Sequence, residues 1–488
     1  MLHIEIVNNV VLWLIVAEGT IVRNQICRSF LLIKRGATML DVNKYKMKRY
    51  IHFDRKVKIE TVESYVTNPK KIAEHSFLPF IHYITSFEKN IGEKNSKLNN
   101  RPIKLKTRDI MYAGHLDNYI YKYYADNLNN CYNQWMFNKE MDKCSTAYRN
   151  NKEYKSNIDF AAEVINEIVD FKESYILVGD FTHFFDQIDH KYLKMNLLTV
   201  LNLERLERDW FNVYKSITKY GYYEKEHLIK KYGTDKQIRR SKKNSYFSQL
   251  SEFRKFQNQY KCISNTKGFG IPQGTAISVV FANIYAINFD SKLKEIADKH
   301  SGLYRRYSDD FILVLPKEQK ISSLSATYFK EIEKLVRVHA INNKIEIQEE
   351  KTGMFEYTNS QLFDINQRKF SRLDYLGFLF DGKKVEMRVK SPYKFYRKAY
   401  QLIDKAKKIK EKKSLIKLPY RKQIYGLYTD LGRNRGSFGN FISYAWRAQQ
   451  KFDKLTPNTE NLMMQQIKNR KKKIEKRLSV KIHTKIEK

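Results

Sequence analysis

Two short apolar runs, far apart in the chain, each run into carboxylates, and any fold of this sequence has to accommodate that. YILV at 175–178 leads through Gly179 to Asp180, and Asp309-Asp310 stand between LYRRY (303–307) and FILVL (311–315). Apolar runs of this length read as strands, which predicts Asp180 at a strand end and Asp309-Asp310 at a hairpin tip. Strand ends of one sheet can bring three carboxylates to one point. Carboxylates gathered in this way repel, and one pKa is forced upward unless cations fill the gap. Divalent ions are the natural remedy: two Mg²⁺ ions about 3.5–4 Å apart can activate an attacking hydroxyl, stabilise a departing pyrophosphate and clamp an in-line displacement. Mg²⁺ takes oxygen ligands. Asp180, Asp309 and Asp310, with the backbone carbonyl of Phe181, can supply the protein's share, and Mn²⁺ suits the same donors.

Further segments extend this pattern. Phe184-Phe185 follow Asp180, GIPQG occupies 270–274, YSDD spans 307–310, Lys351-Thr352 come next and YLGF closes at 375–378. Their order is that of the motifs defining reverse transcriptases, and over about residues 47–455 the chain resembles that family, most closely its bacterial defence-associated antiviral and abortive-infection members. The resemblance implies an α+β right-hand polymerase fold: fingers, a palm of antiparallel sheet backed by helices, and a C-terminal helical thumb. It implies an RNA-directed DNA polymerase in which Asp180, Asp309 and Asp310 are catalytic and hold two Mg²⁺ ions. Phe185 matches the position whose ring crowds a ribose 2′-hydroxyl, and Gln273 and Gly274 match the lining of the nucleotide pocket. Lys351 matches a lysine that meets the departing pyrophosphate. In 101–129, Arg108 is the best match to the basic residue receiving the triphosphate, with Arg101 or Lys104 second; the arginine fork suits phosphate oxygens. Tyr307, Tyr375 and Gly377 match primer and template positions. Two departures are Thr275-Ala276 after PQG, where the family often has a proline, and Ser308 at the variable position of the YxDD turn.

Charge points to a polyanionic partner. Lys and Arg outnumber Asp and Glu 91 to 53, a net charge of +38, and residues 381–488 hold 31 basic against 9 acidic residues. Phosphate neutralisation with counterion release drives binding to nucleic acid, and no basic amphipathic run joined to a lipid anchor speaks for a membrane. The implied partners are an RNA template, a non-coding RNA by the resemblance, together with dNTPs and a DNA product, and either further copies of the chain or a second defence protein. Four cysteines, Cys27, Cys131, Cys144 and Cys262, include no CxxC pair, which argues against a zinc site or a disulfide framework and fits a reducing cytoplasm. Val10–Ala17 is apolar but too short to span a bilayer. Met39 and Met47 are alternative starts for the reading frame.

The motif positions divide the chain into an N-terminal extension (1–46), fingers (47–174), palm (175–380) with an insertion at about 200–267, a helical thumb (381–455) and a basic tail (456–488). The insertion carries a basic loop at RRSKKN (239–244). Helical spacing of apolar and aromatic residues recurs from 390 onward. The tyrosine-rich stretch 119–135 reads either as rings packed between fingers helices or as a platform for unpaired bases; a third reading is a tyrosine that primes synthesis. No second carboxylate metal site and no Cys/His cluster follows YLGF, so no appended nuclease is expected. Two other functions fit the same residues: a template-independent, protein-primed or RNA-synthesising polymerase, and a catalytically idle nucleic-acid-binding scaffold.

Overall fold

The protein was analysed as a computed structural model, which describes residues 4–7, 10–13, 40–90, 103–152, 154–318, 324–434 and 436–482. Arg101, the side chain of Lys104 and most of the N-terminal extension lie outside the described residues. The chain forms two compact units. The first is Met1–Asn151, Thr182–Asp290 and Ile341–Glu346; the second is Lys152–Phe181, Ser291–Ala340 and Ile347–Lys488.

In the first unit, β1 (Phe80–Asn90) and β2 (Ile103–Tyr112) form a long antiparallel pair in which Ile81 faces Tyr112. Segment 200–267 does not stand apart as an insertion: Gly221–Glu224 pairs parallel to β1, and Ile263–Ser264 extends the same sheet. An aromatic core explains why. Phe53, Tyr223, Phe247, Phe253 and Phe256 are buried together, so rings from before and after the sheet strands share one interior. In the helix His115–Asn138, Tyr119, Tyr121, Tyr124 and Tyr132 are buried, which selects packing over a base-stacking platform for these four rings.

The second unit is built on a six-stranded, wholly antiparallel sheet. Its order is Lys369–Phe370, Gln361–Asp364, β6 (Gly353–Thr358), β3 (Ser174–Asp180), β5 (Asp310–Pro316) and β4 (Leu303–Tyr307). Successive strand side chains point to opposite faces. Ile176, Ile312 and Val314 join Ile158, Ala161 and Ile165 of the helix Asn157–Asp170 in one core, while Tyr175 stacks on Phe329 of the helix Ala326–Asn342. Coverage on both faces is why β3 and β5 are continuous apolar runs rather than alternating ones. It also explains why Asn157–Asp170 belongs to this unit, although the sequence predicts fingers up to residue 174.

YLGF is the turn of a second, smaller sheet. Leu373–Tyr375 and Phe378–Phe380 form a hairpin with a two-residue loop, and both loop residues have positive φ, 45° at Leu376 and 97° at Gly377, as a type I′ turn requires. Lys384–Met387 continues this sheet, and Glu460–Asn461 closes it in parallel. Helices Lys390–Lys412, Arg421–Tyr428 and Phe441–Leu455 follow. The expected basic tail is folded in: in the helix Arg470–Leu478, Ile474 and Leu478 are buried, and with Ile482 they cluster with Ala399, Ile403 and Ala406. The four-residue spacing of Ile474 and Leu478 places both on one helical face. Among the described residues, no helix is long and apolar enough to cross a membrane.

Ser156 and Asp159 form a capping box that starts the helix behind the sheet, and Lys451 Nζ lies 2.7 Å from Asp159 Oδ1. Burial works against the Asp159 carboxylate, but Lys451 and the Ser156 N–H outweigh it and hold the carboxyl below its usual value. A depressed folded-state pKa stabilises fully above the unfolded value, near 3.9, and is lost as pH falls through the folded one. Asp159→Asn is therefore expected to destabilise by about 1 kcal/mol at neutral pH. The deficit should shrink below about pH 4, as read by urea unfolding at both pH values.

Candidate active site

The sheet of the second unit sets the carboxylates. β3 and β5 run antiparallel with Asp180 directly opposite Asp310, and the Phe181 N–H donates to the Asp309 carbonyl at 3.0 Å. The Asp180 carbonyl accepts from the Gln348 N–H at 2.8 Å, which fixes the strand end from its other side. YSDD is a two-residue turn: Tyr307 pairs with Asp310, and Ser308 takes a φ of 61°. Beneath it lies Arg306, fully buried, whose Nη1 donates to the Ser308 carbonyl at 2.8 Å. Gly179 is required by contact, since a Cβ there would lie 2.4 Å from the Phe311 ring.

Electrostatics follow from this placement. Burial raises the Asp310 pKa, Asp309 and Asp180 add like charge, and a hydrogen bond to Asp180 favours the protonated form; the carboxyl is pushed up to about 7. Lys351 opposes this, its Nζ donating to Asp180 Oδ1 at 2.7 Å. The donors are oxygens, the kind a hard divalent cation takes. Among the described residues, however, no three His, Cys, Asp or Glu side chains are arranged to hold a metal ion as they stand. The Lys351 ammonium offsets part of the carboxylate charge at Asp180. The donor chemistry is of the kind Mg²⁺ takes: the Asp180, Asp309 and Asp310 carboxylates are the groups that would hold it, and Lys351 is the cation that meets Asp180 in this structure.

Phe185, Gln273, Gly274 and Arg108 are in the first unit, which the chain re-enters at Thr182. There the Phe185 and GIPQG segments are joined by backbone hydrogen bonds: Ile271 N–H donates to the Phe185 carbonyl and Gly270 N–H to that of Ile188, both at 2.9 Å. The Gln273 carbonyl accepts from the Met111 N–H at 2.9 Å, and Gly274, at a φ of 132°, runs so near that a Cβ would lie 2.3 Å from the Met111 oxygen. Phe185 and Gln273 are half-buried and Gly274 is exposed. Gln273 Nε2 lies 3.4 Å from Asp186 Oδ1; burial holds this carboxyl above its usual value against the pull of Gln273 and His183. Arg108 stands exposed on β2, opposite Thr85.

Tyr307 is half-buried, its ring 6.1 Å from that of Phe160. Tyr375 is a core residue, only 3% exposed, and its ring does not present a stacking surface; burial raises its hydroxyl well above the ordinary range. Gly377 remains at the hairpin turn, where Asn157 Nδ2 fixes the preceding Leu376 carbonyl at 2.9 Å. Arg306, Asn157 and Asp186 are the positions that sequence reasoning missed. Arg306 did carry a signal, because it shares a strand face with Tyr304 and so points inward.

No protein-family profile matches the chain, and no curated protein sequence does. Among the solved structures that align with it, two do so over most of its length. One is telomerase from Candida albicans in complex with a TWJ fragment of telomeric RNA, at 14% identity and a TM-score of 0.36, covering 86% of this chain and 67% of that one. The other is apo telomerase from Candida tropicalis truncated from its C-terminal domain, at 12% identity and 0.38, covering 69% and 62%. Alignments this loose assign neither fold nor activity, and the functional reading rests on the residues themselves.

The tight approach of the PQG turn to β2 is testable. Gly274→Ala should destabilise the protein by about 1–3 kcal/mol through overpacking against the Met111 carbonyl. Thermal unfolding beside Gly268→Ala, where a Cβ meets nothing within 4 Å, gives the comparison.

Proposed function

We propose that the protein is an RNA-directed DNA polymerase that adds deoxynucleotides with two Mg²⁺ ions. The observation that carries this is the pairing of Asp180 with Asp310 on adjacent strands, with Asp309 in the β4–β5 turn and Lys351 on Asp180, taken with the order of the five motifs in the sequence. Mg²⁺, when bound, would neutralise the triphosphate and make the primer hydroxyl a nucleophile. Asp180, Asp309, Asp310 and the Phe181 carbonyl are the residues that would hold it.

The chain's own groups do the rest in this reading. Lys351 balances Asp180 before loading and, once released, meets the departing pyrophosphate as a charge partner and proton donor. Arg108, with Arg101, receives the triphosphate, Gln273 and Gly274 contact the nucleotide, and Phe185 excludes a ribose 2′-hydroxyl by steric crowding. The expected template is a non-coding RNA and the expected setting bacterial antiphage defence in the cytoplasm; both extend the family resemblance.

Two experiments test the proposal. Purified protein given labelled dNTPs, Mg²⁺ and an RNA template with a DNA primer should extend the primer, and Asp309→Ala, Asp310→Ala should lower the rate by at least about a thousandfold while the protein still melts cooperatively. Equal synthesis by that variant would overturn the assignment; no carboxylate-dependent product on any primer–template would favour an idle scaffold. Separately, Phe185→Ala should raise ribonucleotide incorporation relative to deoxynucleotide by about tenfold or more, measured as the ratio of kcat/KM values. An unchanged ratio would remove Phe185 from that role.

A further inference from the structure

The first unit holds a second concentration of charge, built from segments that no polymerase role absorbs. Residues 46–58 contain six basic residues and one acidic, and 236–243 contain five basic and none acidic. The fold joins them. Arg239 donates a guanidinium N–H to the Arg49 carbonyl, Lys56 Nζ donates to the same oxygen at 3.3 Å, and the Tyr246 N–H donates to the His52 carbonyl at 2.8 Å.

Two cations sharing one neutral oxygen are poorly compensated. Burial and the neighbouring Arg239 guanidinium hold the Lys56 ammonium below its usual value. Asp235 supplies a carboxylate, but divides it between Lys225 at 3.4 Å and Arg239 at 3.8 Å. Lys48, next to Arg49 in sequence, and Lys242 and Lys243, whose backbone N–H groups bond the carbonyls of Arg239 and Ile238, are exposed. The adjoining rings are turned inward: Tyr50 stacks on His115 at 5.0 Å, and Tyr246 is buried in the aromatic core. The surface therefore offers cations without rings on which to stack unpaired bases, a combination that recognises phosphates and positions a nucleic acid without reading its sequence.

We propose that this surface of the first unit docks the phosphate backbone of an RNA helix. The choice of RNA rests on the polymerase reading, in which a structured RNA carries the template; the requirement for a polyanion rests on the geometry alone. Binding should be salt-dependent and indifferent to sequence.

The test uses the full chain and a fluorescent RNA hairpin, with anisotropy read across a salt series. Lys48→Glu, Lys242→Glu is compared with Lys330→Glu, Lys334→Glu, an equal charge change on exposed positions of the second unit. The first pair should weaken hairpin binding by at least about tenfold and make the log–log salt slope shallower by about two. The control pair should stay within about twofold of the parent. Equal effects of the two pairs, or no effect of the first, would overturn the proposal. Retained hairpin binding with lost binding to phosphatidylserine vesicles would overturn it in favour of a membrane surface. Primer extension on a short oligonucleotide duplex separates the two readings. A protein that makes no DNA yet loses hairpin binding in the first pair contradicts the polymerase and keeps this surface, whereas DNA synthesis with unchanged hairpin binding does the reverse.

Discussion

The pairing of β3 with β5 is the constraint on which the site depends. Asp180 and Asp310 are opposite residues of one antiparallel ladder, so their separation is set by backbone hydrogen bonds rather than by side-chain choice. Like charges directly across a sheet are destabilising. The chain accepts that cost at a strand end, where burial and the neighbouring aspartates raise the Asp310 pKa and the Lys351 ammonium sits on Asp180. Repulsion gathered at one strand end is what a bound cation would relieve.

The surroundings keep that arrangement from relaxing. β3 and β5 are buried on both faces, so a one-residue slip in register would turn core side chains outward. Gly179 lets the Phe311 ring lie across the strand, and Arg306 ties down the turn that carries Asp309. Ser308 sits in a left-handed conformation that L-residues adopt at some cost, consistent with a turn whose shape is imposed by its neighbours. In the first unit, PQG is laced to the Phe185 segment and to β2 by similar backbone bonds. Backbone pairing thus places the motifs, and the Arg306 and Asn157 side chains brace the turns at Ser308 and Leu376.

Much of this was legible in the sequence. The apolar runs before Asp180 and after Asp310 read correctly as strands because both sheet faces are covered, and the carboxylates fell at their ends for the same reason. YLGF was legible as a segment but not as a role: Tyr375 reads as a primer contact, whereas alternation along Leu373–Tyr375 turns its ring into the core. Organisation was harder to read. Strands of four and two residues at 221–224 and 263–264 carry too little periodicity to reveal that they extend the β1 sheet, and the abundant lysines between 468 and 477 hide the single apolar stripe that docks this segment. Arg306 was hidden by the habit of reading arginine as surface.

The central claim of the proposed function is that Asp180, Asp309 and Asp310 form a cation site. Crystals grown with Mn²⁺ and a non-hydrolysable deoxynucleotide, with diffraction recorded at the manganese absorption edge, address it directly. An anomalous peak between the Asp180 and Asp310 carboxylates, with Lys351 withdrawn from Asp180, is the expected result. Lys351 still on Asp180, with no anomalous peak near the three aspartates, would contradict it.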